Sequence, residues 1–359
     1  MRKRQPAVRS GGSSRLVALA VVIATGLLAI QLPINAAQEV PAGEISFGFW
    51  GDPAEADAYE AIVDAFEALH PAVDVQIEYL ADADDFYARL ATGYAAGDTP
   101  DVFLITYRRY GQFAAAGALE PVGPYLRQST VIAEDGYFPE PMAAFTFNGE
   151  LICLPQNLSS LVVYYNRDLF DASEVPYPAA DWTWDDFLTA AQSLTEDTDG
   201  DGVIDRFGAG IEPSLVRVAP FIWQAGGELV DDIEHPTKLT IATPKAREGM
   251  RFLLDLSLLH HVVPSESEVL SQSLEDRFMA GNTAMLFQSR RVVPSLRQID
   301  DFAWDVAPLP RGEAAAGILH SDAYCLSAGA DNKAAAWAFI EFANGPHGQP
   351  IAAEVGRTV

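Results

Sequence analysis

Four aspartates alternate with other residues in the stretch EDTDGDGVIDRFG. Asp197, Asp199, Asp201 and Asp205 stand at the first, third, fifth and ninth positions of a loop, where an EF-hand places the oxygen ligands of one hard cation. The twelfth position, which carries a bidentate glutamate in an EF-hand, is Gly208. The segment that follows is predicted to be a loop or strand rather than a second helix. The sequence therefore predicts no EF-hand regulatory unit.

A structural calcium site is nevertheless one of two hypotheses for this loop. Four carboxylates within nine residues repel one another when no cation is present. The other hypothesis is a solvated cluster of turns in which each aspartate bonds its own backbone. No cofactor is otherwise required. The calcium ligands would be Asp197, Asp199, Asp201, the Val203 carbonyl and Asp205.

The charge of the chain excludes two classes of partner. The 359 residues carry 50 Asp+Glu against 23 Lys+Arg, a formal net charge of −27. Such a surface repels nucleic acid and anionic lipid, so neither is expected as a partner. The hydrophobic share of 49% supplies enough apolar surface for two cores, and the length favours two domains or lobes.

The N-terminus has the features of an export signal. A basic segment precedes the apolar run LVALAVVIATGLLAI, which is too short for a typical spanning helix. Small residues follow, with a cleavage site near Ala36 or Ala37, so residues 1–37 are predicted to be a signal peptide. An uncleaved membrane anchor is the alternative. No cysteine lies near the cleavage site to carry a lipid. The protein is therefore expected to be exported, in the periplasm or at the cell surface.

The first part of the mature chain alternates strands and helices. Strands are predicted at 44–50, 73–80 and 100–106, and helices at 53–70 and 84–97, from apolar residues at periods of two and 3.6. This order predicts an α/β fold with a parallel sheet flanked by helices on both faces. Ligands of such sheets bind at the carboxyl ends of the strands.

Residues at these strand ends are candidates for a binding site. Trp50 and Asp52 follow the first strand, Asp82 follows the second, and Tyr107 and Arg108 follow the third. An aromatic ring suits the flat C–H face of a sugar, while amides and carboxylates suit its hydroxyls. The alternatives are a core tryptophan at position 50 and helix-capping or solvated aspartates at positions 52 and 82.

The ordered succession of longer segments resembles a known family. The carrying segments are GEISFGFWG, AAGDTPDVFLI, NGELICLPQNLSSLVVYYNRDLF with DWTWDDF, QAGGELVDD, RFMAGNTAMLF, WDVAPLPRG and KAAAWAFIEFA. In this order they are similar to the extracellular solute-binding proteins of ABC importers, of the sugar-binding kind typified by maltose-binding proteins. The resemblance covers residues 44–359. It implies a two-lobe periplasmic-binding-protein fold, with the ligand between the lobes.

The resemblance also implies lobe boundaries. The first lobe would comprise 40–154 and 288–314, and the second 158–286 and 315–359. Crossing strands would lie near 154–160, 287–291 and 312–322. Family members usually continue beyond a segment like VGRTV, so the last helices of the second lobe are expected to be missing.

Further binding residues follow from the implied crossings. The residue at position 159 is a serine where maltose-binding protein has an acidic sugar contact, which argues against maltose itself as the ligand. The implied contacts are Gln156, Asn157 and Ser159 at the first crossing, Ser289 and Arg290 at the second, Asp322 at the third, and Trp223 from the second lobe.

The expected function is capture of a sugar or related polar solute by lobe closure, followed by delivery to membrane permeases. The protein is expected to be a monomer and not an enzyme. Two alternatives remain. One is a secreted glycosidase, although no motif with paired catalytic carboxylates stands out. The other is a binder of an acidic sugar or sugar phosphate, because Arg108, Arg109, Arg290 and Arg291 fall at predicted cleft edges. Salt bridges to the abundant acids would also account for these arginines.

Cys153 and Cys325 are the two cysteines of the chain. In an exported protein they could pair, or they could be two small buried residues. The sequence leaves both possibilities open, because the distance between their Cα atoms decides the matter.

Overall fold

The structure is a computed structural model that describes residues 40–233 and 236–354. The predicted signal peptide, 1–37, lies outside the described residues. Within them, no helix is both long and apolar enough to cross a membrane.

The described chain alternates short strands and helices. The strands are β1 Gly43–Trp50, β2 Val73–Leu80, β3 Val102–Thr106, β4 Leu119–Glu120, β5 Thr146–Phe147, β6 Glu150–Leu151, β7 Cys153–Pro155, β8 Ser159–Asn166, β9 Met285–Ser289, β10 Trp304–Ala307, β11 Leu319–His320 and β12 Asp322–Ser327. The helices are α1 Pro53–Leu69, α2 Ala83–Ala96, α3 Tyr107–Ala115, α4 Gly123–Leu126, α5 Pro139–Ala144, α6 Arg167–Ala172, α7 Trp184–Leu194, α8 Leu215–Gln224, α9 Pro244–Leu258, α10 Glu266–Ser271, α11 Leu274–Met279, α12 Val293–Leu296, α13 Lys333–Ala343 and α14 Gly348–Glu354.

The first lobe is built on a six-stranded sheet. Its order is β2-β1-β3-β12-β4, and β7 pairs with β12. The β1–β2 and β1–β3 pairs are parallel, as the sequence predicts, whereas β12 runs antiparallel to β3, β4 and β7. Phe47 on β1 is fully buried and contacts Phe339 on α13 with ring centroids 5.0 Å apart. One core therefore joins the first strand to the last part of the described chain.

A disulfide links two strands of this sheet. Cys153 on β7 and Cys325 on β12 are register partners with Cα atoms 4.5 Å apart, and both are fully buried. The question left open by the sequence is therefore answered in favour of a pair. The bond closes a loop that contains the whole second lobe.

The second lobe is built on a four-stranded sheet centred on β8. The strand β9 pairs with one edge of β8, while β10 and β11 pair with its other edge. Helices α7, α8 and α9 cover one face through Phe187, Phe221 and Leu256, all completely buried. The α7 helix begins with a capping box between Thr183 and Asp186.

The chain passes between the sheets at two places in the described residues. One lies between β7 and β8, at residues 156–158, and the other at Ser321, between β11 and β12. Both fall within predicted crossing regions. The predicted crossing at 287–291 is wrong, because β9 and β10 both pair with β8.

Two lobe assignments taken from the resemblance are corrected accordingly. Residues 293–309 lie with the second lobe rather than the first, where Leu296 packs in a cluster with Tyr164 of β8. Residues 322–354 lie with the first lobe rather than the second, since β12 hydrogen-bonds β3 and α13 fills the core above β1. The apolar faces of these segments, rather than their order in the chain, decide the side on which they pack.

Candidate functional site

A polar cavity of about 330 Å³ opens between the two sheets, beside the crossing segments. Its lining comes from both lobes and from the crossings between them. The lining residues are Trp50, Glu55, Tyr59, Leu104, Thr106 and Arg108 from the first lobe, Asn157, Ser159, His320 and Asp322 at the crossings, and Glu212, Val216, Arg217, Gln288, Ser289, Arg290 and Arg291 from the second lobe.

The first lobe presents an aromatic wall. Trp50 is the last residue of β1, and its ring lies 5.0 Å from Tyr87 and 5.5 Å from Phe86, both on α2. These contacts hold the half-buried indole in place while part of it faces the cavity. The phenol of Tyr59, on α1, is a further aromatic group of the lining. Such rings suit the C–H face of a sugar.

The same lobe contributes the N-terminal end of α3. Thr106 ends β3 and is the N-cap residue of α3, but its side chain does not cap the helix. Arg108 is exposed in the first turn of this helix. The first N–H of the helix, that of Tyr107, donates to the Ser321 carbonyl at 3.1 Å. A helix N-terminus carries a partial positive charge, so this corner of the cavity favours negative charge.

The second lobe presents a buried arginine held by a polar network. Arg217, on α8, is only 5% exposed. Its Nη2 donates to Gln288 Oε1 at 2.7 Å and lies 3.6 Å from Glu212 Oε2. The Nε2 of Gln288 donates to Glu275 at 2.9 Å, and Arg291 bonds the same Glu275 oxygen. Since each partner bonds the next, the guanidinium has a fixed position.

Hydrogen bonds join the two crossing segments to each other. Asn157 Nδ2 donates to Asp322 Oδ2 at 3.0 Å, and the Asp322 N–H donates to Asn157 Oδ1 at 2.9 Å. Ser321 Oγ donates to the Asn157 carbonyl at 2.6 Å. Burial raises the pKa of Asp322, while the bonds from Asn157 and Thr106 and the charge of Arg108 oppose that rise.

His320 lies at the second crossing and touches both lobes. It pairs with Ser159 in the second sheet, and its Nδ1 lies 3.3 Å from the Tyr107 hydroxyl of the first lobe. Burial, helped by the positive charges of Arg217 and Arg108, lowers the pKa of His320 to about 4. The imidazole is therefore neutral near pH 7.

The structure brings together seven of the twelve binding residues predicted from the sequence. Their shared property is a position at a crossing or at a cleft-facing end of an element. They are Trp50, Arg108, Asn157, Ser159, Ser289, Arg290 and Asp322.

The other five predicted residues lie outside the cavity lining. Asp52 and Asp82 are exposed N-caps of α1 and α2, which is the capping alternative. Tyr107 reaches the site only through His320. Gln156 is buried and lines a second cavity of about 480 Å³. Trp223 is half-buried on α8.

Sequence reasoning missed most of the second-lobe lining. Arg217 stands within the apolar helix sequence LVRVAPFIW, where an isolated arginine could have signalled a buried charge with a purpose. Glu212 and Gln288 carry no such signal. Glu55 and Tyr59 follow the first strand on α1, and His320 stands two residues before Asp322. Their position becomes visible only when the two lobes are assembled.

The aspartate loop lies away from this cavity, between α7 and the second sheet. Carboxylate oxygens of Asp197, Asp199 and Asp205 lie within 4.8 Å of one another, and all three residues are exposed. Asp201 accepts a hydrogen bond from the N–H of the exposed Val203 at 2.8 Å. The loop closes through a bridge between Glu196 and Arg206 and continues as an extended segment, so the absence of a second EF helix is confirmed for this part of the described chain. Calcium binding stays a prediction.

Asp197 and Asp205 also bond the loop itself. Asp197 accepts from the N–H groups of Gly200 and Gly202, at 2.7 and 2.8 Å. Asp205 accepts from the hydroxyl and N–H of Thr198, and these bonds lower the pKa of Asp205. The loop geometry is thus held by the turn contacts that the alternative hypothesis describes.

Two unlike α/β lobes, two crossing segments and a polar cavity between them define a solute-binding protein of the periplasmic type. The family model for the bacterial extracellular solute-binding protein matches residues 50–350, and the chain belongs to this family. The family resemblance noted in the sequence is therefore confirmed.

Solved structures and curated relatives agree with that assignment. An ABC substrate-binding protein from Listeria monocytogenes, in complex with cycloalternan, is 26% identical with a TM-score of 0.81, over 88% of this chain and 79% of that one. UgpB from Mycobacterium tuberculosis, in complex with glycerophosphocholine, is 20% identical with a TM-score of 0.76, over 89% and 79%. The maltotriose-binding protein of Pyrococcus abyssi is 22% identical over 85% of this chain and 64% of that protein.

Proposed function

We propose that this protein captures a sugar or a related polar solute for an ABC import system and passes it to membrane permeases. The single observation that carries the proposal is the composition of the cavity, which takes polar groups from both lobes and from the segments that connect them. The similar proteins named above are described as binding cycloalternan, maltotriose and glycerophosphocholine.

Lobe closure follows from this arrangement. A solute that touches Trp50 on one lobe and Arg217 on the other gains both sets of contacts only when the lobes approach each other. To convert a population of about 1:99 into 99:1, the solute must favour the closed form by about 5.5 kcal/mol. Aromatic stacking together with several charge-assisted hydrogen bonds can supply a difference of this size.

Export and release complete the proposal. The family is extracellular, so the protein is exported. We propose that residues 1–37 direct this export and are removed near Ala36 or Ala37, that the mature protein acts as a monomer, and that the solute leaves chemically unchanged. The mass of the protein recovered from the cell envelope tests the cleavage. A mass that retains the N-terminal segment would contradict it.

Small-angle X-ray scattering tests the binding reaction directly. We expect the radius of gyration to fall when the right sugar is added and to stay constant with an amino acid such as leucine as the control. Chromatography of the recovered sugar is expected to show no cleavage products. A particle whose shape never tightens with any sugar, or a sugar that returns hydrolysed, would overturn the proposal.

A further inference from the structure

Among the described residues, four arginines supply the full positive charges of the cavity lining. They are Arg108, Arg217, Arg290 and Arg291, and no lysine of the part of the chain that the structure describes joins them, although the whole chain has 23 Lys+Arg against 50 Asp+Glu. A guanidinium presents a planar fork of N–H donors that fits the paired oxygens of a phosphate or carboxylate. The cavity thus concentrates oxyanion-binding groups on a strongly acidic protein.

The arginines differ in how far the protein itself compensates them. Arg291 forms an ion pair with Glu275, and Arg217 lies 3.6 Å from Glu212. Arg109, the sequence neighbour of Arg108, points away from the cavity and pairs with Asp84 at 2.8 Å. Across the described ranges, 40–233 and 236–354, Arg108 forms no ion pair. Its charge is therefore available to a ligand.

Three buried donor groups of the lining have no partner among the described residues. They are Arg217 Nε, His320 Nε2 and Ser159 Oγ. In the neutral imidazole, Nδ1 faces the Tyr107 hydroxyl at 3.3 Å and can accept from it, which leaves Nε2 to carry the proton. A buried donor without a partner is energetically unfavourable, so these atoms favour a ligand that accepts hydrogen bonds.

The positive charges also act on one another. Burial lowers the pKa of Arg217, and Arg291 and Arg108 add to that lowering while Glu212 opposes it. Arg108 and Arg217 both help to lower the pKa of His320. An anion placed among these groups relieves their mutual repulsion. The uncapped N-terminus of α3, at Thr106, adds its partial positive charge at the same corner.

We infer that the solute is a small polyol with one oxyanion group, a phosphate or a carboxylate, which binds between Arg108 on the first lobe and Arg217, Ser159 and His320 across the cleft. The remaining hydroxyls of the polyol face the acceptors Glu55, Glu212 and Asp322 on other parts of the lining. This inference rests on the proposed function and specifies its ligand class. Because the oxyanion bridges the two lobes, it also drives their closure.

Matched sets of solutes test the inference. Glucose is compared with glucose 6-phosphate and glucuronate, glycerol with glycerol 3-phosphate, and maltose serves as a larger neutral sugar. Affinity is measured by calorimetry, and closure by scattering. We expect an acidic member to bind at least tenfold more tightly than its neutral counterpart, and the preference to weaken as salt rises. The phosphate and carboxylate members identify which oxyanion the site takes.

Two neighbouring arginines provide a matched pair of variants. Arg108→Gln is expected to lower the affinity for the acidic solute at least fivefold more than the affinity for its neutral counterpart, because only the oxyanion loses a charge partner. Arg109→Gln, with a similar exposure but outside the cavity, is expected to leave the preference intact. Arg108 is exposed, so its variant is expected to fold, whereas Arg217→Gln also disturbs a buried network.

The outcomes separate the inference from the proposed function. If a neutral sugar closes the lobes as tightly as its acidic counterpart, or if Arg108→Gln lowers both affinities equally, the oxyanion inference is wrong while solute capture stands. If no solute of the panel binds or changes the scattering, the proposed function fails together with the inference.

Discussion

In the first lobe, Trp50 reaches the cleft from the end of a strand and is held by ring contacts with Phe86 and Tyr87. In the second lobe, Arg217 reaches the same cleft from a helix and is held by hydrogen bonds that run through Gln288 to Glu275. Apolar packing has little directional preference, whereas a buried polar network fixes the direction of each donor. Under the proposed function, the first lobe would therefore offer a surface for the solute, and the second would determine its orientation.

The lobes also differ in the features that could stabilise each of them. The first lobe contains the disulfide and the ends of the described chain, while the second is an insertion between β7 and β12. The second lobe contains the aspartate loop instead. Four experiments exploit these differences, beginning with the largest expected effect.

Replacement of both cysteines, Cys153→Ser with Cys325→Ser, is expected to destabilise the first lobe by about 2–5 kcal/mol. The bond spans 172 residues, and a cross-link over so long a loop removes much entropy from the unfolded chain. Denaturant unfolding, followed by fluorescence and circular dichroism, measures the loss. The parent protein under reducing conditions is the control and is expected to match the variant. Equal midpoints for the oxidised parent and the variant would contradict the prediction.

Acid is expected to lower the free energy of unfolding through His320, which lies between the lobes. Its pKa of about 4 in the folded state is below the usual value near 6.5, so the unfolded chain binds the proton more readily. The stabilisation by neutral His320 is complete above about pH 6.5 and is lost as the pH falls towards 4, by roughly 1–3 kcal/mol. Denaturant unfolding of the parent and of His320→Gln between pH 4 and 7 measures how much of the pH dependence of the free energy of unfolding comes from this residue. An unchanged pH dependence in the variant would show that other groups cause it.

Trp50→Ala is expected to weaken solute binding by roughly 1–3 kcal/mol, since it removes the main aromatic surface of the first lobe. Trp223→Ala separates the sequence prediction from the structure, because Trp223 was a predicted contact but lies outside the cavity lining. We expect no change in affinity for that variant. Calorimetry with the best solute of the panel provides the measurement. A larger loss of solute affinity in Trp223→Ala than in Trp50→Ala would contradict the assignment of the aromatic binding surface to the first lobe.

Calcium is expected to have the smallest effect and to act on the second lobe alone. At millimolar calcium we expect chelator-treated protein to gain about 1 kcal/mol, the value for a concentration several times the dissociation constant. Asp199→Asn is the matched variant, since the asparagine oxygen can still accept the hydrogen bond from the Asp201 N–H while the carboxylate charge is lost. The absence of both binding heat and a thermal shift in the parent would end the calcium hypothesis.

Local pattern was enough to predict much of the fold. The alternation of apolar residues in EISFGFW and VDVQIEYL indicated β1 and β2, and the helix α1 between them followed from 3.6-residue periodicity. The crossings observed at 156–158 and 321 fall within the regions 154–160 and 312–322 that the family resemblance implied, and no local pattern marked them. The signals for the strands and the helix are short-range, because each arises from how neighbouring side chains meet one sheet or helix face.

Long-range pairing was beyond the sequence. The strand β12 reads as an apolar segment that either sheet could accept, and only its register with β3 and the fit of α13 over Phe47 place it in the first lobe. The same holds for β10 and its pairing with β8. Since several sheet edges can satisfy the same apolar pattern, side-chain packing in the assembled core selects among them.

The sequence by itself determined that this is an acidic α/β protein of the solute-binding family, with Trp50, Arg108, Asn157 and Asp322 among its cleft candidates. Only the tertiary structure decided that Arg217 and His320 face those residues, because they come from elements far apart in the chain. It also decided that Cys153 meets Cys325 and that the aspartate loop lies apart from the cleft. Residue types reveal what chemistry is available, but the distances at which charges and hydrogen bonds act are set by the folded chain.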